Sequence, residues 1–257
     1  MEKLKIYIIP MLKDNYSYIL HDIENNKTAV IDPANAKPII KFLNELELGL
    51  ELDFILNTHH HSDHIGGNKE LHKRYPNAKL ITSKLNKGKI SNISHFICKS
   101  NEKIKFGNFD IECISTPGHT MGSLCFYIKT EKENILFTGD TLFNFGCGRN
   151  FEGSAHQLFN SLNKLKILPL ETKIYSGHEY TLKNLEFCMD LQKRCNYLNK
   201  YHFEHLLKCK EKIEDLRNNE LPSVPTLLED EIKINPFFKN IPIHTTFALI
   251  RNLKNSF

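Results

Sequence analysis

The feature that most constrains this chain is the segment 58–67, which reads Thr-His-His-His-Ser-Asp-His-Ile-Gly-Gly. It places four histidines and one aspartate within the six positions 59–64. Imidazole and carboxylate groups are the side chains that bind zinc, iron or manganese. The order His-x-His-x-Asp-His supplies more ligands than one tetrahedral ion needs once partners from elsewhere in the chain are added. The segment therefore predicts two metal ions and hydrolysis by a metal-activated water.

The bulk composition is typical of one large domain, or of one domain with a smaller appendage. The chain has 257 residues, is 40% hydrophobic and carries a formal net charge of +4. This weak positive charge does not by itself indicate nucleic acid, but it fits an anionic small substrate. No apolar run approaches the roughly 18 residues that a membrane span needs. We expect no nucleic-acid or membrane partner, and we expect a monomer.

The cysteines indicate a reducing compartment. There are seven, an odd number, and none forms a Cys-x-x-Cys pair. Reduced thiols are therefore expected rather than a disulfide framework. The first residues lack the long apolar core of a signal peptide. These observations favour a cytoplasmic protein.

The first two-thirds of the chain alternates strand-like and helical patterns, which predicts an α/β fold with sheets covered by helices. Strands are predicted around the alternating Leu4, Ile6 and Ile8, and at Tyr16–Leu20, Thr28–Ile31, Phe54–Leu56, Lys79–Thr82, Phe109–Ser115, Ser123–Ile128, Asn134–Phe137 and Lys173–Tyr175. After about residue 180 the character changes. Leu182–Lys212 lacks Gly and Pro and predicts two helices broken near Asn199, residues 221–242 are predicted to be irregular, and Thr245–Lys254 predicts a last helix. We place a domain boundary near residue 177, which separates 1–177 from 178–257.

Three later strands each end in a turn in which glycine precedes a possible ligand. The pairs are Gly118-His119, Gly139-Asp140 and Gly177-His178. Glycine lets the backbone turn sharply near an ion, and sheet-end loops are where α/β folds place sites. A dinuclear site needs about three protein ligands per ion and a bridging carboxylate. We therefore predict one set of His59, His61 and His119, a second set of Asp63, His64 and His178, and a bridge at Asp140.

The candidates outside the histidine cluster also have structural interpretations. His119 or His178 alone is compatible with a helix cap or a surface position, and Asp140 with a helix N-cap. The cluster itself resists such an interpretation, because adjacent imidazoles serve no packing purpose. Asp32 closes a predicted strand and is expected either to orient a ligand histidine or to serve only as a turn residue before Pro33.

The segment Thr58–His64 resembles the signature of the metallo-β-lactamase superfamily, whose fold is a four-layer αββα sandwich. Other motifs are similar to one family within it, glyoxalase II or hydroxyacylglutathione hydrolase. They are Asp14-Asn15-Tyr16, Thr116–Thr120, Phe137–Phe143, Gly146–Arg149, Gly177–Thr181, Val224–Glu229 and Asn235–Phe237. The resemblance implies that fold with a C-terminal helical domain, the same seven ligands, and a pair of divalent ions that are zinc, iron or manganese.

The resemblance also implies an activity, the hydrolysis of S-(2-hydroxyacyl)glutathione thioesters. S-D-lactoylglutathione would yield D-lactate and glutathione, the second step of methylglyoxal detoxification. Asp63 and Asp140 would belong to the catalytic centre, with Asp63 a ligand rather than a general base. The family's basic glutathione-binding positions correspond to Arg149, Arg251 and Lys254, and its substrate-contacting tyrosine corresponds to Tyr180.

Two positions depart from the family pattern. Phe151 stands where a tyrosine often contacts glutathione, and Arg149 stands where many members have lysine. These departures concern the binding of glutathione and not the metal ligands. Without the resemblance, Arg251 and Lys254 would be interpreted as the solvated face of a terminal helix.

Other functions remain open at the level of the sequence. The nearest alternative is a glutathione persulfide dioxygenase, which uses one iron and lacks a long helical tail. A metal-binding protein without catalysis is a further alternative, against which the complete ligand set argues. The histidine cluster alone would also fit a β-lactamase, a lactonase or an RNA-processing nuclease.

Overall fold

The structure is a computed structural model that describes residues 3–45, 51–239 and 244–257. The contacts divide the chain into two compact units. The first consists of Met1–Ser115 and Gly122–Glu131, and the second of Thr116–Met121 and Lys132–Phe257. The boundary predicted near residue 177 is a different division of the chain and stays a prediction. Among the described residues, no helix is both long and apolar enough to cross a bilayer.

The first unit is built on a mixed sheet in which strand order follows chain order. Its strands are β1 (Leu4–Met11), β2 (Asn15–Asp22), β3 (Lys27–Ile31), β4 (Phe54–Leu56), β5 (Lys79–Ser83) and β6 (His95–Ile97). The first three pair antiparallel, whereas β3 through β6 pair parallel. Parallel neighbours need crossover connections, and helices α1 (Ala36–Glu45), α2 (Ser62–Ile65) and α3 (Asn68–Arg74) lie in them. This topology brings the ends of β3 and β4 out at the same edge.

The apolar face of α1 covers this sheet. Ile39 and Leu43, one helical turn apart, are both buried and pack in a cluster with Val30 of β3 and Ile55 of β4. The unit also contains an antiparallel ribbon of β7 (Glu102–Phe106), β8 (Phe109–Ser115) and β9 (Leu124–Lys129). The strands predicted in this part of the chain are confirmed, and β6 and β7 are additions to them.

The second unit combines a short sheet with most of the helices. Its elements are β10 (Asn134–Gly139), β11 (Leu142–Phe143), β12 (Gly146–Cys147), α4 (Ala155–Lys166), β13 (Lys173–Ser176), α5 (Thr181–Cys195), α6 (Lys200–Asn218), β14 (Thr226–Leu227), α7 (Leu228–Ile234), a 3₁₀ helix at Pro236–Phe238, and α8 (His244–Ser256). Strand β10 pairs parallel with β13, which pairs antiparallel with β14. The carboxyl ends of β10 and β13 therefore lie side by side.

The helical region agrees with the sequence in one respect and corrects it in another. The predicted break is confirmed, because Asn196 ends α5 in the left-handed conformation with φ 47° and the Asn199 side chain accepts from the first turn of α6. The prediction that residues 221–242 are irregular is wrong over α7. Leu228 and Ile234 of that helix are buried, and their burial stabilises a helix of only two turns between prolines. Residues 240–242 lie outside the described residues.

Candidate metal centre

Asp32 lies directly behind the histidine cluster, at one edge of the first unit's sheet. Ile31, the last residue of β3, is paired with Leu56, the last residue of β4. The segments that follow the two strands are therefore neighbours. Asp32 accepts hydrogen bonds from the Thr58 backbone N–H at 2.7 Å and from the Thr58 hydroxyl at 2.5 Å. Its backbone is left-handed, with φ 49°, a conformation that aspartate tolerates better than most residues.

His64 is oriented by this carboxylate. Its Nδ1 lies 2.9 Å from Oδ2 of Asp32, and both side chains are almost fully buried. Because the carboxylate occupies Nδ1, the remaining nitrogen Nε2 faces Asp63, whose Oδ2 is 3.5 Å away. A carboxylate behind an imidazole fixes its tautomer and ring orientation, as it does for metal-bound histidines. Of the two roles expected for Asp32, this geometry favours the support of a ligand.

His59 and His61 face each other through their rings. Nε2 of His59 lies 3.1 Å from Nδ1 of His61, and Nδ1 of His59 lies 3.0 Å from the Thr58 hydroxyl. His59 is buried and His61 half-buried. Two imidazole nitrogens this close together are suitable donors to a single ion. This proximity is compatible with the predicted ligand set, which stays a prediction.

Asn15 is a contributor whose role the sequence did not reveal. Its side-chain amide, at the start of β2, donates to Oδ2 of Asp63 at 2.9 Å and to the Asp63 backbone carbonyl at 3.1 Å. Asn15 is only 4% exposed, whereas the Asp63 side chain is 35% exposed, so the amide end of this bond is buried and the carboxylate end is partly open to solvent. The motif Asp14-Asn15-Tyr16 was a point of family resemblance without an assigned function. The contact explains it, since Asn15 fixes the carboxylate of a predicted ligand.

In the second unit, Asp140 lies between two histidines. Gly139 at the end of β10 pairs with Ser176 at the end of β13, and the Gly177 N–H donates to the Gly139 carbonyl at 2.9 Å. This pairing brings out Asp140 and His178 at the same edge. Oδ2 of Asp140 lies 3.3 Å from Nε2 of His119 and 3.5 Å from Nε2 of His178. One carboxylate oxygen that faces two imidazoles has the position of a bridging ligand.

His119 is held from behind by a backbone carbonyl. Its Nδ1 lies 2.8 Å from the carbonyl oxygen of Arg149, which leaves Nε2 for Asp140. Gly148 permits the close approach of the two loops. A Cβ atom at this position would lie 1.9 Å from the Asp140 carbonyl oxygen and 3.1 Å from Nδ1 of His119. Any side chain there would displace a predicted ligand.

The donor chemistry of these residues fits zinc, iron or manganese. Imidazole nitrogens and carboxylate oxygens are the donors, and thiolates are absent from the predicted set. Each half has a second group that orients a histidine, as metal sites require. The members of the predicted set are His59, His61, Asp63 and His64 in the first unit, and His119, Asp140 and His178 in the second.

Tyr180 lies directly beside a predicted ligand. Its ring stacks on His178 with a centroid distance of 4.7 Å and an interplanar angle of 8°. Phe143 packs edge-on against both rings. A second aromatic ring, that of Phe151, is exposed and lies edge-on to His119, with 5.3 Å between the ring centroids. Phe151, which stands where the family often has a tyrosine, is therefore in contact with the predicted ligand His119.

The predicted basic residues have unequal surroundings. Arg149 is exposed, whereas Arg251 is only 4% exposed. Nη1 of Arg251 donates to the Cys147 carbonyl at 2.6 Å, and its guanidinium lies over the Phe237 ring. Burial rules out a solvated helix face as the interpretation of Arg251. Its contact instead places it behind the Gly146–Arg149 loop.

Lys254 lies three residues further along α8, on the same side of the helix as Arg251. Its Nζ donates to the Lys183 carbonyl at 3.0 Å and lies 4.9 Å from the centre of the Phe187 ring. Burial disfavours the charged ammonium group and lowers the pKa of Lys254 to about 8. Its charge therefore changes within the range in which an enzyme can be assayed.

Two family models together match most of the chain. The metallo-beta-lactamase superfamily model matches residues 13–87 and 105–178. The model for the hydroxyacylglutathione hydrolase C-terminus matches residues 179–257. Both halves of the predicted ligand set lie within the first match, and Tyr180, Arg251 and Lys254 lie within the second.

Curated relatives match over the full length. A hydroxyacylglutathione hydrolase of Pelagibacter ubique is 41% identical over 254 residues, which covers 99% of this chain and 100% of the relative. One of Acaryochloris marina is 38% identical over 268 residues, with the same two coverages. The resemblance seen in the motifs is thus confirmed across the chain.

Solved structures of lower identity share the fold. The ETHE1 protein of Myxococcus xanthus superposes with a TM-score of 0.70 at 23% identity, covering 97% of this chain and 91% of that one. A protein solved in a di-iron-bound form, TTHA1623, has a TM-score of 0.60 at 21% identity, covering 90% of this chain and 98% of that one. The predicted fold, with a helical C-terminal part, is confirmed.

Proposed function

The chain belongs to the hydroxyacylglutathione hydrolase family of the metallo-beta-lactamase superfamily, and on that premise we propose that its seven predicted ligands hold two divalent ions for the hydrolysis of glutathione thioesters. The protein is an enzyme, and it hydrolyses hydroxyacylglutathione. The observation that carries this conclusion is the full-length match, which includes the C-terminal part specific to that family. S-D-lactoylglutathione is the substrate we propose, and its hydrolysis yields D-lactate and glutathione.

The ligand assignment is the one reached from the sequence. His59, His61 and His119 would hold one ion, Asp63, His64 and His178 would hold the other, and Asp140 would be a ligand shared by the two sets. When bound, such a pair lowers the pKa of a water molecule and polarises the substrate carbonyl. The protein's part is to orient the donors. Asp32 fixes His64, the Arg149 carbonyl fixes His119, and Asn15 fixes Asp63.

The proposed reaction does not need a side chain that acts as a strong proton donor. The thiolate of glutathione is a good leaving group, so hydrolysis needs no strong general acid. This agrees with the assignment of Asp63 and Asp140 as ligands, since both carboxylates face imidazole nitrogens that are aimed at them.

Glutathione binding is assigned to the basic residues and Tyr180. The two carboxylates of glutathione suit the exposed guanidinium of Arg149 and the ammonium of Lys254. We assign Arg251 to the support of the Gly146–Arg149 loop as well as to the positive potential, because its Nη1 holds the Cys147 carbonyl. In this proposal residues 1–177 form the catalytic domain, and residues 178–257 form the substrate-binding domain.

We propose that the enzyme acts in the cytoplasm as a monomer. All seven cysteines are free thiols, which fits a reducing compartment. Glutathione as the carrier of the acyl group fits the same compartment.

The direct test is turnover of S-D-lactoylglutathione by the purified protein, with bound metals quantified. We expect hydrolysis in wild type and loss of hydrolysis in His59→Ala, with His156→Ala, an exposed histidine of α4, as the matched control. Oxygen consumption with glutathione persulfide and no thioester hydrolysis would instead assign the chain to the dioxygenases. Bound metal without turnover of either substrate would indicate a non-catalytic metal-binding protein.

A further inference from the structure

A second group of metal-binding side chains lies in the helical part of the second unit. His205 and Cys209 belong to α6, and Asp230 belongs to α7. Nε2 of His205 lies 2.7 Å from Oδ1 of Asp230 and 3.7 Å from Sγ of Cys209. The three donor atoms all lie within 4.8 Å of one another, and all three residues are half-buried. None of them belongs to the ligand set of the dinuclear centre.

Two of these donors lie close together because of the helical repeat of α6. His205 and Cys209 are four residues apart, so they occupy one face of α6 a single turn apart. Asp230 reaches them from the first turn of α7, a short helix that packs on α6. The same ring nitrogen of His205 faces both partners. In a Cys-His-Asp catalytic triad the histidine would use different nitrogens for the two partners, so this arrangement is not of that kind.

The spacing of the atoms is close to that of a tetrahedral zinc site. Zn–N of about 2.1 Å and Zn–S of about 2.3 Å, at a tetrahedral angle, separate the nitrogen and sulfur by about 3.6 Å. The observed separation of Nε2 of His205 and Sγ of Cys209 is 3.7 Å. The nitrogen and the oxygen of Asp230 are at hydrogen-bond distance, 2.7 Å, and would move apart by about 0.7 Å around an ion.

The charges also balance. A thiolate, a carboxylate and a neutral imidazole together carry two negative charges, which a divalent cation neutralises. The Cys209 S–H bond would break as the S–metal bond forms, and the proton would leave to solvent. Thiolate with imidazole selects zinc over magnesium or calcium. His202, one turn before His205 on α6, or a water molecule can supply the fourth ligand.

We propose that His205, Cys209 and Asp230 form a zinc-binding site that joins α6 to α7, separate from the catalytic pair. The consequence is structural. Helix α7 carries Glu231, which accepts hydrogen bonds from the Phe145 N–H at 3.0 and 2.9 Å. An ion that fixes α7 on α6 would thereby stabilise the β11–β12 hairpin that precedes Arg149.

Cobalt substitution tests this site without reference to catalysis. A thiolate bound to Co²⁺ gives a charge-transfer absorption band in the near ultraviolet, and the proposed dinuclear ligands include no thiolate. Apo protein titrated with Co²⁺ should show this band. Cys209→Ser should abolish it, and Cys195→Ser, on the exposed end of α5, should retain it. The band should also persist in His59→Ala, so that failure of the dinuclear proposal does not affect the result.

Stability provides the second measurement. Zinc added to apo protein should raise the melting temperature of wild type more than that of Cys209→Ser or Asp230→Asn. Asp230→Asn keeps the size of the side chain, so it can replace Cys209→Ser in this comparison if the cysteine variant does not fold. The proposal is overturned if the band is absent from wild type, if it survives in Cys209→Ser, or if zinc raises the melting temperature of all three proteins equally.

Discussion

Asp32 and His64 form a buried carboxylate–imidazole pair in which Oδ2 lies 2.9 Å from Nδ1. This contact determines which nitrogen of His64 is directed at Asp63. It exists because β3 and β4 are parallel neighbours that end together, so the residue after one strand lies behind the cluster that follows the other. The chemistry of the site therefore depends on the topology of the sheet.

Asp32→Asn should weaken metal binding about 10- to 100-fold, because the amide cannot stabilise the N–H of His64 as the carboxylate does. Asparagine tolerates the left-handed backbone of this position, so the protein should stay folded. Chelator competition gives the affinity. Asp53→Asn, which changes an aspartate paired with Lys27 in the same unit, is the control and should bind metal as wild type does. Unchanged affinity in the Asp32 variant would remove its proposed role.

Asn15→Ala should lower kcat/KM about tenfold, since Asp63 loses the amide that holds its carboxylate. The same variant should release metal faster in a chelator assay. Asn108→Ala, which removes an exposed side-chain amide that donates to Glu24, is the matched control. If both variants had wild-type activity, the contact would be structural only.

Gly148→Ala should reduce kcat by about 100-fold or more. The added Cβ would lie 1.9 Å from the Asp140 carbonyl and would force the loop that carries this ligand to move, and a shift of about 1 Å is enough for such a loss. Gly88→Ala adds a methyl group where no atom lies within 4 Å of it, although at φ 83°, and should retain activity. Steady-state kinetics of the two variants measure the effect. Full activity of the Gly148 variant would contradict the close approach of residue 148 to the Asp140 carbonyl.

The proposed metal ligands could be named from the sequence because their chemistry is concentrated in adjacent residues. The cluster at 59–64 and the Gly-His and Gly-Asp turns are local patterns. The side chains that orient these ligands were less accessible to sequence. Asn15 meets Asp63 across 48 positions, and the contact depends on how β2 and α2 are placed by the fold.

In the fold, too, elements with a clear local pattern were predicted, whereas elements that depend on tertiary packing were missed. Strands with alternating apolar residues were predicted, but β7 was not recognised, because only Ile104 and Phe106 are buried among charged neighbours. Helix α7 was hidden between Pro225 and Pro236, whose turn-forming character dominates the local pattern. Its stability comes from packing on α6, which is a tertiary effect.

The pH dependence of kcat/KM should report Lys254. Burial lowers the pKa of this lysine to about 8, so its positive charge is present below about pH 8 and is lost as the pH rises through that value. An anionic substrate is therefore bound less well above pH 8, and kcat/KM should fall there. Arginine keeps its charge, so Lys254→Arg should remove this alkaline limb. A limb that is identical in the two proteins would show that another group is responsible.

The measurement that tests the central claim most directly is the titration of metal-free enzyme with zinc while hydrolysis of S-D-lactoylglutathione is followed. The titration uses the Cys209→Ser variant, so that zinc bound at the proposed site between α6 and α7 does not add to the number of ions counted per chain. We predict no turnover without metal, and full turnover when two ions are bound per chain. His59→Ala should recover little activity at the same metal concentration. Full hydrolysis by metal-free protein, or by the His59 variant with fewer than two ions bound, would contradict the account.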